Sequence, residues 1–169
     1  MPRHFFAVFT TLILVLTSIT TFAAGNLSVT KSITVNSPPA AVWAMIKDFN
    51  GLNTWHPAVA TDVIVEGEND QPGAVRLLTL GDGGTIKEKL LAWDDAGMTY
   101  SYSILEGVLP VSDYESTLSV KALSDTSSEV TWSGSFNAGG DADDKKAFDT
   151  ISGVYEGGLE NLVKMMSSE

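Results

Sequence analysis

Apolar and polar residues alternate with a period of two near the start of the ordered pattern, where Leu27, Val29, Ile33 and Val35 interleave with Ser28, Thr30, Ser32 and Thr34. That is the period of a half-buried strand. Asn36-Ser37-Pro38-Pro39 closes the strand and opens a helix, with Ser37 the expected N-cap and proline tolerated in the first turn. Ala41, Val42, Met45, Ile46 and Phe49 give this helix its expected buried stripe; Asn50-Gly51 ends it, and a short second turn carries Leu52 and Trp55. From Ala58 to Phe136 the period returns to two, interrupted at short intervals by turn residues, as in an antiparallel meander. The expected strands are Val59–Glu66, Val75–Leu80, Thr85–Trp93, Thr99–Leu105, Tyr114–Leu123 and Glu129–Phe136. Gly81-Asp82-Gly83-Gly84 reads as a hairpin turn rather than a phosphate cradle, because no helix follows it and no lysine stands at the required spacing.

After Gly139-Gly140, Asp141, Asp143 and Asp144 crowd the start of a long helix, where carboxylates suit the positive end of the dipole. The spacing of a calcium loop is not completed. Phe148, Ile151, Tyr155, Leu159, Leu162 and Met166 recur at helical spacing as its apolar face. Gly153, Gly157 and Gly158 lie inside it, each costing about 0.5–1 kcal/mol relative to alanine. Close approach to the sheet, or room for a ligand, is the expected compensation. The fold class is therefore α+β: strand, helix pair, six antiparallel strands and a long helix, making a seven-stranded curved sheet around the terminal helix with a cavity between them.

The first 23 residues follow another pattern. Arg3 and His4 precede an apolar run from Phe5 to Ile19, followed by Ala23, Ala24 and Gly25. This reads as a signal peptide cut between Ala23 and Gly25, too short to span a bilayer, and it places the protein in the periplasm or outside the cell without stable membrane insertion. Residues 27–166 are expected to form a single domain. Removing residues 1–23 takes Arg3 and no acid, so 10 basic residues become 9 against 21 acidic ones, a formal charge of −12. Such a surface disfavours nucleic acid. The chain has no cysteine, so burial and not disulfides must hold the fold.

Candidate chemistry is sparse. His56 is the one histidine beyond the leader, a candidate base or hydrogen-bonding group but no basis for a metal site. Glu88 shares a strand face with Ile86 and Leu90, and a carboxylate there calls for a partner. Arg76, on the preceding strand, is that partner if the turn at 81–84 gives an even register; an odd register sets Arg76 across from Lys89 instead, a like-charge pair. The even register is favoured on that ground. Such a pair either satisfies itself or holds a polar group of a ligand. Tyr100, Tyr102, Tyr114 and Trp132, with Tyr155 from the last helix, are the expected aromatic lining. The loop Gly107-Val108-Leu109-Pro110-Val111 is apolar where solvent favours polar residues, which suggests a lid, a protein contact or burial against the helix pair.

Val42-Trp43, Asp48-Phe49, Trp55-His56-Pro57, Gly73-Ala74-Val75-Arg76, Gly83-Gly84-Thr85-Ile86, Glu88, Tyr100-Ser101-Tyr102, Leu109-Pro110, Asp113-Tyr114 and Gly158-Leu159 carry a resemblance. In this order they resemble the polyketide cyclase/dehydrase-type branch of the SRPBCC superfamily, with the helix-grip fold of START domains; an exported form is also similar to accessory proteins of methanol oxidation. The resemblance implies a hydrophobic or amphipathic ligand without a cofactor, and sets Trp55 and His56 beside the pocket entrance. Three functions follow as expectations: an exported binding protein, a cofactor-independent cyclase, dehydratase or isomerase using Glu88 or His56, and an accessory protein acting on a partner enzyme.

Overall fold

The computed structural model describes residues 26–167; the leader read at residues 1–23 lies outside the described residues. Seven antiparallel strands form one curved sheet: β1 (Leu27–Val35), β2 (Val59–Glu66), β3 (Val75–Leu80), β4 (Thr85–Asp94), β5 (Thr99–Gly107), β6 (Val111–Ser124) and β7 (Ser127–Ala138). Their spatial order is β1-β7-β6-β5-β4-β3-β2. β1 and β2 are thus consecutive in the chain but occupy opposite edges. The helices between them, α1 (Pro39–Ile46) and α2 (Leu52–Trp55), carry the chain from one edge to the other. The long helix α3 (Asp144–Met166) packs on β1 and β7 and meets α2, completing the helix-grip arrangement. Breaks in register within β2 and β4 are the irregularities that bend strands and curve a sheet.

Several local expectations need correction. Pro38, not Ser37, is the N-cap of α1, and no side chain caps the helix; the Ser37 carbonyl instead accepts the Ser128 hydroxyl at 2.7 Å. α1 ends at Ile46, so Phe49 is buried beyond the helix, and its inner face uses Trp43 where Ala41 was expected. β6 starts at Val111, which shortens the apolar loop to residues 108–110, and β7 runs from Ser127 to Ala138. Small polar residues of weak strand propensity are carried into the ladder by paired neighbours, as Ser128 is by Val35 and Ala122.

Asp143 caps α3, its carboxylate accepting the Lys146 amide at 2.7 Å, which accounts for an aspartate at that position. Ile151, Tyr155, Leu159 and Leu162 face the sheet, but Phe148 is 41 % exposed and lies off that face. The three helix glycines also separate. A Cβ at Gly158 would lie 2.6 Å from His56 Cδ2 and 2.9 Å from Trp132 Cζ3, whereas Gly153 and Gly157 face open space. Gly158 therefore marks tight helix-to-sheet packing, and the ligand space expected beside it is filled by His56 and Trp132.

Candidate functional site

A cavity of about 70 Å³ lies nearer the middle of α3, between α2, β3, β4 and the 108–110 loop. Its wall combines Leu52, Val59, Leu78 and Ile86 with the polar residues His56, Glu88, Tyr102 and Tyr114 and the indole of Trp132. All of these are buried. The remaining lining residues, Ala58, Leu80, Leu109 and Val154, keep some exposure and form the mouth. Of the residues expected to line a ligand site, His56, Glu88, Tyr102, Tyr114 and Trp132 reach this space. Trp55, Arg76, Tyr100 and Tyr155 stand behind it.

Arg76 and Glu88 are directly opposite on β3 and β4, in the even register. The four-residue turn produces it, with the Leu80 amide bonded to the Gly84 carbonyl and Gly83 in the left-handed region at φ 89°. Arg76 Nε and Nη2 donate to the same oxygen, Glu88 Oε2, at 2.8 and 2.7 Å. Nη1 donates to the Phe49 carbonyl at 2.5 Å and lies 3.4 Å from Asp62 Oδ2. The guanidinium also sits over the Phe49 ring, 4.2 Å from its centroid. Arg76 thus ties the segment after α1 to the sheet. Burial opposes its charge, but Glu88, Tyr100, Asp62 and Tyr102 together more than offset that, so its proton is held firmly. Burial lifts both carboxyls above their usual range while Arg76 pulls them back, and the two short bonds to Glu88 make that pull stronger there. The Arg76 contacts fall on Oε2, which leaves Oε1 outside that pair on a side chain that lines the cavity.

Asp62 is the member of this cluster that sequence reasoning missed. It accepts the Leu52 amide at 3.0 Å, holding the start of α2, and its Oδ1 is buried without a partner. Period-two reading of β2 points Val63 and Val65 inward with Val59, yet they are 53 % and 45 % exposed. A register break between Val59 and Thr61 reverses the alternation and brings Asp62 to the inner face.

Behind the cavity runs a directed chain of hydroxyls. Ser116 Oγ donates to the Ser133 carbonyl at 2.9 Å, so its 2.9 Å contact with Tyr155 Oη places the proton on Tyr155. By the same logic Tyr114 donates to Tyr155 at 2.6 Å, and only the Tyr102 proton is left for the 3.5 Å contact with Tyr114. Trp132 Nε1 donates to both Tyr102 Oη at 3.1 Å and Ser116 Oγ at 3.0 Å. Burial pushes the Tyr102 and Tyr114 phenols well above their usual range and that of Tyr155 to about 12, so all three remain protonated donors at neutral pH.

Gly134 makes this arrangement possible. A Cβ there would stand 2.3 Å from Tyr155 Oη, and Tyr155 cannot move aside easily because it stacks on Trp132 with centroids 4.6 Å apart. We expect Gly134→Ala to cost about 1–3 kcal/mol as an overpacking change. In a Tyr155→Phe background the remaining neighbours are the Glu115 carbonyl oxygen at 3.2 Å and ring Cζ at 3.5 Å, and the same change should cost less than in the parent. Thermal or urea unfolding of the four proteins checks this; equal costs in both backgrounds would place the strain elsewhere.

His56 meets the cavity as a neutral ring. Nε2 donates to the Val154 carbonyl at 3.0 Å and Nδ1 accepts the Ala58 amide at 3.2 Å, which fixes the tautomer and uses both nitrogens. Burial lowers its pKa below the usual value. It joins α2 to α3 rather than standing free as a base. In the 108–110 loop, Leu109 turns toward the mouth while Val108 packs at Gly84 and stays 58 % exposed. Burial against the helix pair is thus not what holds Val108. Among the described residues there is no acid, histidine or cysteine cluster able to hold a metal, and no helix long and apolar enough to cross a membrane.

Comparison with known proteins agrees with this fold. The family described as polyketide cyclase / dehydrase and lipid transport matches residues 26–167. MLP-like protein 423 of Arabidopsis thaliana is 29 % identical over 114 residues, covering 62 % of this chain and 72 % of that protein. The solved structure of XoxI from Bacillus cereus superposes with a TM-score of 0.76 at 34 % identity, covering 82 % of this chain and 94 % of the other. Ara h 8.0201 superposes with a TM-score of 0.70 over 85 % of this chain and 99 % of its own; at 24 % identity, that likeness speaks to fold alone.

Proposed function

We propose that this chain, which belongs to the polyketide cyclase / dehydrase and lipid transport family, is an exported binding protein that encloses a small apolar molecule between α2, the sheet and α3. The observation that carries this reading is the cavity itself: buried aliphatic and aromatic walls, with a rim of small and aliphatic side chains. An apolar cavity of about 150 Å³ is enough to hold a benzene ring. At about 70 Å³ the cavity is smaller than that, so Leu109 and Val154 must move outward to admit a ring. The 108–110 loop acts as the lid in this reading. Its apolar residues then have a purpose that a solvent loop lacks.

Export rests on Arg3, His4 and the apolar run Phe5–Ile19. N-terminal sequencing of the mature protein should begin between residues 24 and 26, and an intact Met1 chain in the membrane fraction would contradict export. Binding is tested by plugging the mouth. Val154→Trp places a large ring on a partly exposed helix position at the mouth. Toluene affinity should fall by at least about ten-fold while the melting temperature is kept. Unchanged affinity in a folded variant would put the ligand elsewhere.

A further inference from the structure

We propose that the cavity is selective for a neutral hydroxyl group, an alcohol or phenol on a small apolar body, and discriminates against carboxylates. This deepens the binding reading above and rests on it. Two polar atoms on the wall have unused capacity, and they are of opposite kind. Glu88 Oε1 is an acceptor, since both Arg76 bonds fall on Oε2. Tyr102 supplies a donor, because each other hydroxyl proton in the chain is committed toward Ser133 and the Tyr102–Tyr114 contact is stretched to 3.5 Å. The Trp132 N–H donates to Tyr102 Oη, which strengthens the phenol as a donor in turn.

Donor and acceptor lie on neighbouring strands of one inner face. Glu88 pairs with Ile104 and Leu90 with Tyr102, so Glu88 and Tyr102 are diagonal neighbours, and both line the cavity. A single hydroxyl answers both: its proton goes to Glu88 Oε1 and its oxygen accepts from Tyr102. A hydrocarbon answers neither, and so gains nothing from these two groups.

Charge decides the rest. One guanidinium serves two buried carboxylates, Asp62 and Glu88, so with both ionised the cluster has an excess negative charge. Arg76 is fully buried and does not line the cavity. An incoming carboxylate would therefore meet Glu88 and not the guanidinium, with like-charge repulsion in a low-dielectric space. His56 offers no compensation, because its Nε2 proton is given to Val154.

The test titrates the full chain at pH 7.5 with phenol, toluene and benzoate, which differ little in size, and reads Trp fluorescence and ligand NMR. Phenol should bind at least about ten-fold more tightly than toluene, the scale of one hydrogen bond to a charged group, and benzoate no more tightly than toluene. In Glu88→Gln and in Tyr102→Phe the phenol advantage should shrink while toluene binding persists, which also reports that each variant is folded. Equal affinity for phenol and toluene, or benzoate binding as tightly as phenol, overturns the selectivity and leaves the cavity reading standing. No saturable binding of any probe overturns the cavity reading and the selectivity with it. The three wild-type titrations decide the matter even if a variant fails to fold.

Discussion

Arg76→Met should be among the most destabilising single changes in this protein, costing about 3–5 kcal/mol, the range for breaking a buried ion pair from one side. Two buried carboxylates would lose their shared cation, and the Phe49 carbonyl would lose a donor at 2.5 Å. The loss should depend on pH in a stated direction. Without Arg76, burial holds the Glu88 and Asp62 pKa values above their unfolded ones, so each carboxyl favours the fold when protonated, and that benefit disappears as pH rises through the folded pKa. The variant should therefore lie closer to the parent at pH 5 than at pH 7.5. Removing the opposing charge as well, in Arg76→Met with Glu88→Gln, should recover about 0.5–3 kcal/mol relative to additivity. Urea unfolding at the two pH values measures both effects. Additive losses with no pH dependence would mean that the pair does not act as an ionised unit.

Trp55→Ala is expected to cost about 3–5 kcal/mol, as deletion of a buried aromatic does. The ring is 1 % exposed and packs on Trp132 at 5.6 Å and on His56 at 6.0 Å between centroids. Its backbone carbonyl accepts Asn161 Nδ2 at 2.9 Å, so α2 is held to α3 at the same residue. Loss of this anchor should loosen the His56 end of the cavity. The predicted signature is a melting temperature lower by roughly 10 °C or more, given a few degrees for each kcal/mol in a domain of this size. A variant that melts like its parent would show that the helix pair is not docked through this ring.

The parts of this fold that were legible in the sequence are those where one local rule acts alone. Alternation marks β1 and the shared face of Glu88 with Ile86 and Leu90, and avoidance of an Arg76–Lys89 like-charge pair favours the even register that brings Arg76 to Glu88. The illegible parts depend on long-range pairing or on an absent side chain. Asp62 faces inward only because a register break reverses the alternation of β2, which no composition rule announces. Ser116 and Gly134 read as ordinary strand residues of weak propensity, yet one ends the hydroxyl chain and the other leaves space for Tyr155. The helix glycines misled in the other direction. Gly158 does have the expected reason for its cost, but the reason is contact with His56 and Trp132 rather than room for a ligand.

Methyl-detected NMR of the protein during a toluene titration tests the central claim most directly. Leu78 and Ile86 form the buried floor of the cavity, whereas Val63 and Val65 lie exposed on the outer face of β2 as internal controls. A cavity that opens to a small apolar ligand predicts saturable, one-to-one shifts at Leu78 and Ile86, with Val63 and Val65 unmoved. Shifts confined to Val63 and Val65, or none that saturate, would contradict it.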